Sequence, residues 1–184
     1  MINVGSRSDP SIIKLVTTVV LVVVIIIYVI ISLSTGDWLW WNPKFSETPH
    51  AMMVQCYGDT ITIDPGSYHF GALTKIVDQD LSGRKRWDQL SLSEVTYHDY
   101  QTDASMMVLE LSFGEPIRIH SNYKFFSNVD QLVIPLDGRH AQTNAIFGLN
   151  QGIPTAGSMH VESTASISSY LKNQGICPTS VSRK

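Results

Sequence analysis

One stretch of the chain, Leu15 to Leu33, runs for 19 residues without a charged side chain and consists mainly of valine, isoleucine and leucine. The hydrocarbon core of a bilayer, about 30 Å thick, requires a helix of about 20 apolar residues. Valine and isoleucine favour strands in water, but a lone segment in lipid satisfies its backbone hydrogen bonds only as a helix. We therefore predict one transmembrane helix over residues 15–34.

A cleaved signal peptide is the alternative for this stretch. The apolar core of such a peptide usually has about 7–15 residues, fewer than the uncharged stretch has here. Ser32 and Ser34 are small residues before Thr35, where a signal peptidase could cut, so cleavage stays open. The length of the stretch favours a retained signal-anchor.

The charges on the two sides of the helix predict its direction. Arg7 and Lys14 precede the apolar stretch, and Asp37 follows it. Because positive charge collects on the cytoplasmic side of a membrane, residues 1–14 are expected to form a cytoplasmic stub, and the rest of the chain to lie outside the cytoplasm. The residues expected at the membrane interface are Lys14, Trp38, Trp40 and Trp41.

The chain after the helix has the length of one ordinary domain. Residues 35–50 contain two prolines and show neither a helical nor a strand period, so we expect an interfacial segment and a stalk there. We expect a single domain over residues 51–178 and a short tail over 179–184. The net charge is −3, so the chain lacks the excess of positive charge that is typical of nucleic-acid-binding proteins.

Two patterns in the first half of this domain predict a hairpin and a helix. Two β-prone runs flank Gly58 and Asp59, a pair that favours a two-residue hairpin turn. Further on, apolar residues recur at the spacing of one helix face, with Ser67 as the N-cap and Gly83 as the stop. The residues on that face are Phe70, Leu73, Val77 and Leu81.

The second half of the domain carries strand patterns and one more helix. Residues 107–113 alternate, and the turn residues 114–116 after them predict a second hairpin. The apolar run 129–136 predicts a central strand, which Pro135 would end or place at an exposed edge. Residues 163–175 predict a second helix. This order of elements is typical of an α+β domain with a mainly antiparallel sheet and two principal helices.

The chain has two cysteines, Cys56 and Cys177, near the two ends of the predicted domain. Outside the cytoplasm the environment is oxidising, so a disulfide between them would persist. Closing a loop of this size contributes about 4–5 kcal/mol in the chain-entropy model. We predict the disulfide, with two separately buried thiols as the alternative.

A short basic run, Arg84-Lys85-Arg86, follows the predicted first helix. It has two interpretations. The first is a contact with lipid headgroups or an acidic partner, and the second is a solvated corner between the helix and a loop.

Residues 137–160 concentrate hydrogen-bonding side chains around a small apolar island at 145–147. Long loops inside compact domains are uncommon unless they bind something. The segment is therefore either a recognition surface for a protein, glycan or pigment-bearing partner, or a structured connection with one more short strand at the island. The residues expected to bind a partner or ligand are Arg139, His140, Asn144, Asn150, Gln151, Ser158 and His160.

Sequence motifs for catalysis and metal binding are missing. The chain has no His-Glu-x-x-His, no Cys-x-x-Cys and no Gly-x-Ser-x-Gly. The closest chelating pair, His160 with Glu162, would share one strand face. The two cysteines are too far apart for the Cys-x-x-Cys-His of covalent haem attachment and too few for a thiolate iron–sulfur cluster. We therefore expect no catalytic residues, no metal site and no cofactor.

These observations favour a single-pass membrane protein whose extracytoplasmic domain interacts with other proteins without catalysis. It would be an accessory or structural subunit of a larger membrane complex, for example an energy-transducing one, or a regulator of a membrane partner. The alternative is an anchored hydrolase or metal-dependent enzyme, in which His98, His120, His140 and His160 are the residues to suspect. A small-ligand sensor that signals through a partner is the third hypothesis.

Overall fold

The computed structural model describes residues 11–177, which form two compact units that divide after Trp38. The first unit is the helix α1 (Ile12–Thr35), which is followed by Gly36 in a left-handed conformation. The helix has a mean hydropathy of 3.1 over its most apolar 18 residues, and only 6% of that window is buried. By length and composition it is able to cross a membrane. Most of the predicted stub, including Arg7, and the predicted tail 179–184 lie outside the described residues.

The second unit is an α+β domain around one antiparallel sheet, as predicted. Its described strands are β1 (Ala51–Cys56), β2 (Asp59–Ile63), β3 (Arg86–Asp88), β4 (Met107–Ile117), β5 (Val129–Asp137), β6 (Ala145–Asn150), β7 (Ile153–Pro154) and β8 (Ser158–His160). They lie in the order β2-β1-β4-β5-β6-β8-β3, and β7 pairs with β6. The described helices of this unit are α2 (Tyr68–Leu81), α3 (Glu94–Thr102) and α4 (Ala165–Asn173), one more than the two predicted.

The sheet separates two hydrophobic cores. Successive residues of a strand face opposite sides of the sheet, so Leu109 and Leu111 on β4 belong to one core and Val108 to the other. Helices α2 and α4 cover the larger core through residues such as Leu73 and Leu171. Helix α3, with its buried Tyr100, covers the smaller core on the opposite face.

The first hairpin is present, but its turn lies one residue earlier than predicted. Cys56 pairs with Asp59, so the turn residues are Tyr57 and Gly58 rather than Gly58 and Asp59. Both turn residues have positive φ values, 52° and 93°, as the two-residue turn with the twist of a hairpin requires. The glycine was correctly identified as a turn residue, but a tyrosine fills the other strained position.

Helix α2 forms as predicted. The Ser67 hydroxyl accepts a hydrogen bond from the Phe70 amide at 3.2 Å, which caps the first turn. The chain leaves the helix after Leu81 and reverses at Gly83, whose φ is 98°. The four residues of the predicted face are all buried: Phe70, Leu73, Val77 and Leu81.

The predicted hairpin at residues 114–116 is wrong. These residues continue β4 as one strand that pairs with β5, and the register shifts between Ser112 and Ile117. The exposed turn residues therefore form an irregularity in the strand edge instead of reversing the chain. Sequence alone does not separate these outcomes, because the pairing partner decides between them.

Strand β5 is central in the sheet, as predicted, but Pro135 neither ends it nor lies on an exposed edge. Pro135 is buried and pairs with Val108, next to a register shift between Met107 and Val108. A bulge is one of the few places where a sheet accommodates a residue without an N–H donor. The proline therefore lies at a bulge within the central strand.

The segment 137–160 is a structured connection. It contains a 3₁₀ turn at Ala141–Thr143 and then β6, β7 and β8. The apolar island becomes the buried start of β6. The sequence analysis assigned no element to the polar stretch after α2, where the structure has β3 and α3.

A disulfide joins Cys56 to Cys177, as predicted. The two residues are 121 positions apart in the sequence, and their Cα atoms are 5.6 Å apart. The bond attaches the segment after α4 to the end of β1. It therefore closes the domain into a loop that includes nearly the whole sheet.

Candidate functional site

Five of the seven predicted binding residues meet at one end of the sheet. His160 on β8 pairs with Ala145 on β6, Ser158 is also on β8, and the loop before β6 supplies the other three. The other two, Asn150 and Gln151, lie at the far end of β6, about 20 Å away at about 3.3 Å per strand residue. The residues that come together are Arg139, His140, Asn144, Ser158 and His160.

The His160 ring is held on both of its nitrogens. Nδ1 lies 2.8 Å from the carbonyl oxygen of Thr143, and Nε2 lies 3.1 Å from the Ser158 hydroxyl. A carbonyl only accepts hydrogen bonds, so Nδ1 carries the proton that the neutral ring donates to it. Nε2 then accepts the hydroxyl proton of Ser158. Asp88 Oδ2 is also 3.8 Å from Nε2, and it forms an ion pair with the ring when the ring is protonated.

A hydroxyl, an imidazole and a group that orients the imidazole are the parts of an activated serine nucleophile. Here the serine and the histidine are neighbours on one strand face, and Ser158 has no exposed surface. A substrate carbonyl therefore has no path to the Ser158 oxygen in this conformation. The contacts instead fasten β8 to the loop before β6.

His140 packs inside this end of the sheet. Its Nδ1 lies 2.5 Å from the Tyr100 hydroxyl, and its ring centroid is 5.7 Å from that of Phe147. Burial, with a further contribution from the charge of Arg139, lowers the pKa of His140. Burial also raises the pKa of Tyr100. Both groups are therefore neutral at pH 7, and they join α3 to the sheet.

Asn144 is used within the fold. Its Oδ1 accepts hydrogen bonds from the amide and the hydroxyl of Thr164, each at 3.3 Å, and its Nδ2 donates to the carbonyl of Glu162 at 3.2 Å. Asn144 also adopts a left-handed φ of 51°, which asparagine tolerates better than most residues. The side chain positions the segment that leads into α4.

Arg139 is the most exposed of the five. Its Nη1 lies 3.4 Å from both Asp99 Oδ2 and Thr96 Oγ1 on α3, and half of its side chain is exposed. Exposed pairs of this kind contribute about 0–1 kcal/mol, so Arg139 is able to exchange Asp99 for another partner. Val95 lies one helical turn before Asp99 and is 71% exposed. Val95, Asp99 and Arg139 define what we call the α3 surface.

A buried carboxylate that the sequence analysis missed lies beneath α3. Glu110 on β4 is 2% exposed. Its Oε2 accepts from Gln131 at 2.8 Å and from Tyr97 at 3.1 Å, and its Oε1 accepts from Gln55 at 3.4 Å. Burial raises the pKa of Glu110, although these three hydrogen bonds favour the ionised form.

These four residues come from β1, α3, β4 and β5. Apolar and other residues alternate along β4, so the sequence pattern places Glu110 on the face opposite the apolar residues, where solvent is expected. Helix α3, which covers that face, was not predicted. The sequence signal that could have indicated this network was a glutamine or glutamate within each of three otherwise apolar strands. The network holds α3 on the sheet and gives no open site for a substrate.

A second polar cluster joins α4 to the first hairpin. Asp137 Oδ2 accepts from the Tyr57 hydroxyl at 2.7 Å and from Lys172 Nζ at 3.0 Å. Burial alone would raise the pKa of Asp137, but these hydrogen bonds and the charge of Lys172 hold it below its ordinary value. This cluster lies beside the disulfide and reinforces the same junction.

A basic cleft of about 360 Å³ lies where the chain enters the second unit. Three segments form it: the one that contains Trp40 and Trp41, the turn after α2 with Arg84 and Lys85, and the loop around His120. Among the described residues that line the cleft there is no carboxylate. The sequence analysis noted the basic run and the tryptophans but could not bring them together.

The predicted interface residues divide between the two units. In the first unit, Lys14 is exposed near the start of α1, and the carbonyl of Trp38 accepts a hydrogen bond from the Tyr28 hydroxyl at 2.7 Å. In the second unit, Trp40 is half-buried and Trp41 is 60% exposed.

Within residues 11–177, no three histidine, cysteine, aspartate or glutamate side chains lie together in an arrangement that could hold a metal ion. Comparisons of the chain with protein-family models, with curated proteins and with solved structures find no match. What the chain does must therefore be inferred from its own residues.

Proposed function

We propose that this chain is a single-pass membrane protein whose α+β domain lies outside the cytoplasm and binds a membrane partner without catalysis. It acts as an accessory or structural subunit of a larger membrane complex, or as a regulator of one of its members.

The apolar helix supports the anchor. Its 24 residues give a length of about 36 Å at about 1.5 Å per residue, enough for a hydrocarbon core of about 30 Å. Leu21, Ile25 and Ile30 are each at least half exposed, as are most apolar residues of this helix. Water disfavours so large a continuous apolar surface, and lipid accommodates it.

The disulfide supports the location of the domain. Bonds of this kind persist in oxidising compartments and are rare in the cytoplasm. The bond between Cys56 and Cys177 lies entirely in the second unit, which follows the helix. Lys14 lies in the first turn of the helix, before its uncharged stretch, which agrees with a cytoplasmic N-terminus.

The observation that carries the proposal is the short connection between helix and domain. The Pro43 carbonyl already accepts hydrogen bonds from the Gly83 amide at 3.0 Å and from Lys85 Nζ at 2.7 Å. Phe45, two residues later, is in the core at 4% exposure. The connection between helix and domain is therefore residues 36–42, which span at most about 25 Å even if fully extended. A domain so tethered meets partners in or beside the membrane.

The α3 surface is the contact that we propose for this partner. It places the exposed Val95 beside an arginine and an aspartate that hold each other weakly. Apolar contact at the centre and charge at the rim are the usual composition of a protein interface.

Native electrophoresis of the full-length protein, extracted from its own membrane in mild detergent, tests the proposal. We expect it to migrate in a complex of fixed stoichiometry, with partners identifiable by mass spectrometry. Val95→Asp should release it from the complex, whereas Ile153→Asp, at a residue 70% exposed at the other end of β6, should not. Migration of the wild-type protein alone would contradict an accessory role.

An anchored hydrolase is the second candidate, and the contact between Ser158 and His160 favours it. The burial of Ser158 opposes it. Labelling of Ser158 with a fluorophosphonate probe separates the two functions.

A further inference from the structure

The basic cleft is lined by residues that carry hydrogen-bond donors, and no carboxylate is among its described lining residues. These residues include Arg84, Lys85, His120, Trp40 and Asn122. The backbone carbonyls of Pro43 and Gly83, two of these lining residues, accept hydrogen bonds within it. A cleft of this composition suits a ligand rich in acceptors.

Lys85 is the strongest of these donors. Lys85 is half-buried, and its ammonium donates to the carbonyls of Pro43 at 2.7 Å and Gly83 at 3.4 Å. Both acceptors are neutral, and no described carboxylate forms an ion pair with Lys85. Burial accordingly lowers the pKa of Lys85. Because a partly buried charge without a counter-charge is unfavourable, an anion in the cleft would stabilise it.

Trp40 and Arg84 line the cleft together with Lys85. The indole N–H of Trp40 is buried and has no acceptor among the described residues. Arg84 is exposed and directly precedes Lys85, after Gly83 has turned the chain away from α2 with a φ of 98°. Two cations that line one cleft match the oxygens of a phosphate group, for which arginine and lysine are the usual partners.

The position of the cleft in the chain indicates where the phosphate comes from. Trp40 follows the end of α1 at Thr35 by five residues, so the cleft stays within about 18 Å of chain from the helix end. Trp41 lies on its rim, 60% exposed. Exposed tryptophans next to a membrane helix settle at the level of the lipid headgroups.

We propose that this cleft binds the phosphate of an anionic lipid headgroup, with Arg84 and Lys85 contacting the phosphate oxygens and Trp41 inserted in the interface. The anion chemistry follows from the cleft itself. The choice of a lipid as its source rests on the proposed membrane anchor.

Calorimetric titration of the full-length protein in neutral detergent tests both parts. The probes are dihexanoyl phosphatidylglycerol, dihexanoyl phosphatidylcholine and inorganic phosphate. We expect the phosphatidylglycerol to bind at least about tenfold more tightly than either of the others. Arg84→Ala, at an exposed side chain, should weaken its binding about fivefold, as the loss of one charge-assisted contact does.

The double variant Arg84→Ala with Lys85→Met should abolish binding of the phosphatidylglycerol. Its matched control, Arg118→Ala with Lys75→Met, removes the same charge from residues that do not line the cleft and should bind as the wild type does. Equal binding by the double variant and the control would overturn the cleft as the site. Inorganic phosphate binding as tightly as the phosphatidylglycerol would overturn the lipid as the source, even if the protein proves to be membrane-anchored.

Discussion

Cys56 at the end of β1 and Cys177 after α4 are joined across 121 residues of sequence. The hydrogen bonds of Asp137 to Tyr57 and Lys172 hold the same junction. The covalent bond limits the unfolded chain, while the polar contacts act only in the folded domain. The junction is therefore held both covalently and by polar contacts.

Replacing both cysteines by serine should lower the free energy of unfolding by about 4–5 kcal/mol, because the unfolded chain regains the freedom of a loop this long. Chemical denaturation of the full-length protein in detergent measures the change. Wild-type protein under reducing conditions serves as the control and should unfold where the variant does. An unchanged midpoint in the variant would show that the bond does not form.

Glu110→Gln should remove a pH dependence of stability. Burial raises the pKa of Glu110 in the folded state, so between its unfolded and folded pKa values the folded protein binds more protons than the unfolded chain. The free energy of unfolding contributed by this group therefore falls as pH rises through that interval. The free energy of unfolding of the wild type minus that of the variant, measured by denaturation from pH 4 to pH 7, should decrease as pH rises. A difference that increases with pH would contradict the burial of this carboxylate.

Ser158 should not react with a fluorophosphonate probe, because its hydroxyl donates to His160 inside the sheet and has no exposed surface. The full-length wild type and the Ser158→Ala variant are labelled with the probe, and their fluorescence on a gel is compared. Signal in the wild type that disappears in the variant would favour the hydrolase over the binding role.

Local sequence patterns were sufficient for helix α2 and for the first hairpin. In α2 the cap at Ser67, the spacing of the apolar face and the glycine stop all indicate the same boundaries. Helix α3 lacks such agreement, since Tyr100 is its one buried residue within the structure described. Its N-cap, Ser93, accepts a hydrogen bond from the Thr96 amide at 3.1 Å, but this signal alone was too small to identify the helix.

The candidate site shows the same limit. Arg139 and His140 are close to each other in the sequence, and their neighbourhood in space was predictable. Glu110 contacts Gln55 and Gln131 only because their three strands lie side by side in the sheet. The local periodicity of a sequence does not determine the order of the strands. The basic cleft likewise needs contacts between segments about 40 residues apart, such as that between Pro43 and Lys85.

The most direct test of the central claim is the labelling of a single new cysteine, Gln142→Cys, with a membrane-impermeant maleimide in intact cells that make the full-length protein. Gln142 is exposed in the second unit, and both native cysteines are in the disulfide. We predict that the labelled protein remains in the membrane pellet after a carbonate wash. Labelled protein in the supernatant would show that the helix is cleaved, and protein that is labelled only after lysis would place the domain in the cytoplasm. Either result would contradict an anchored extracytoplasmic domain.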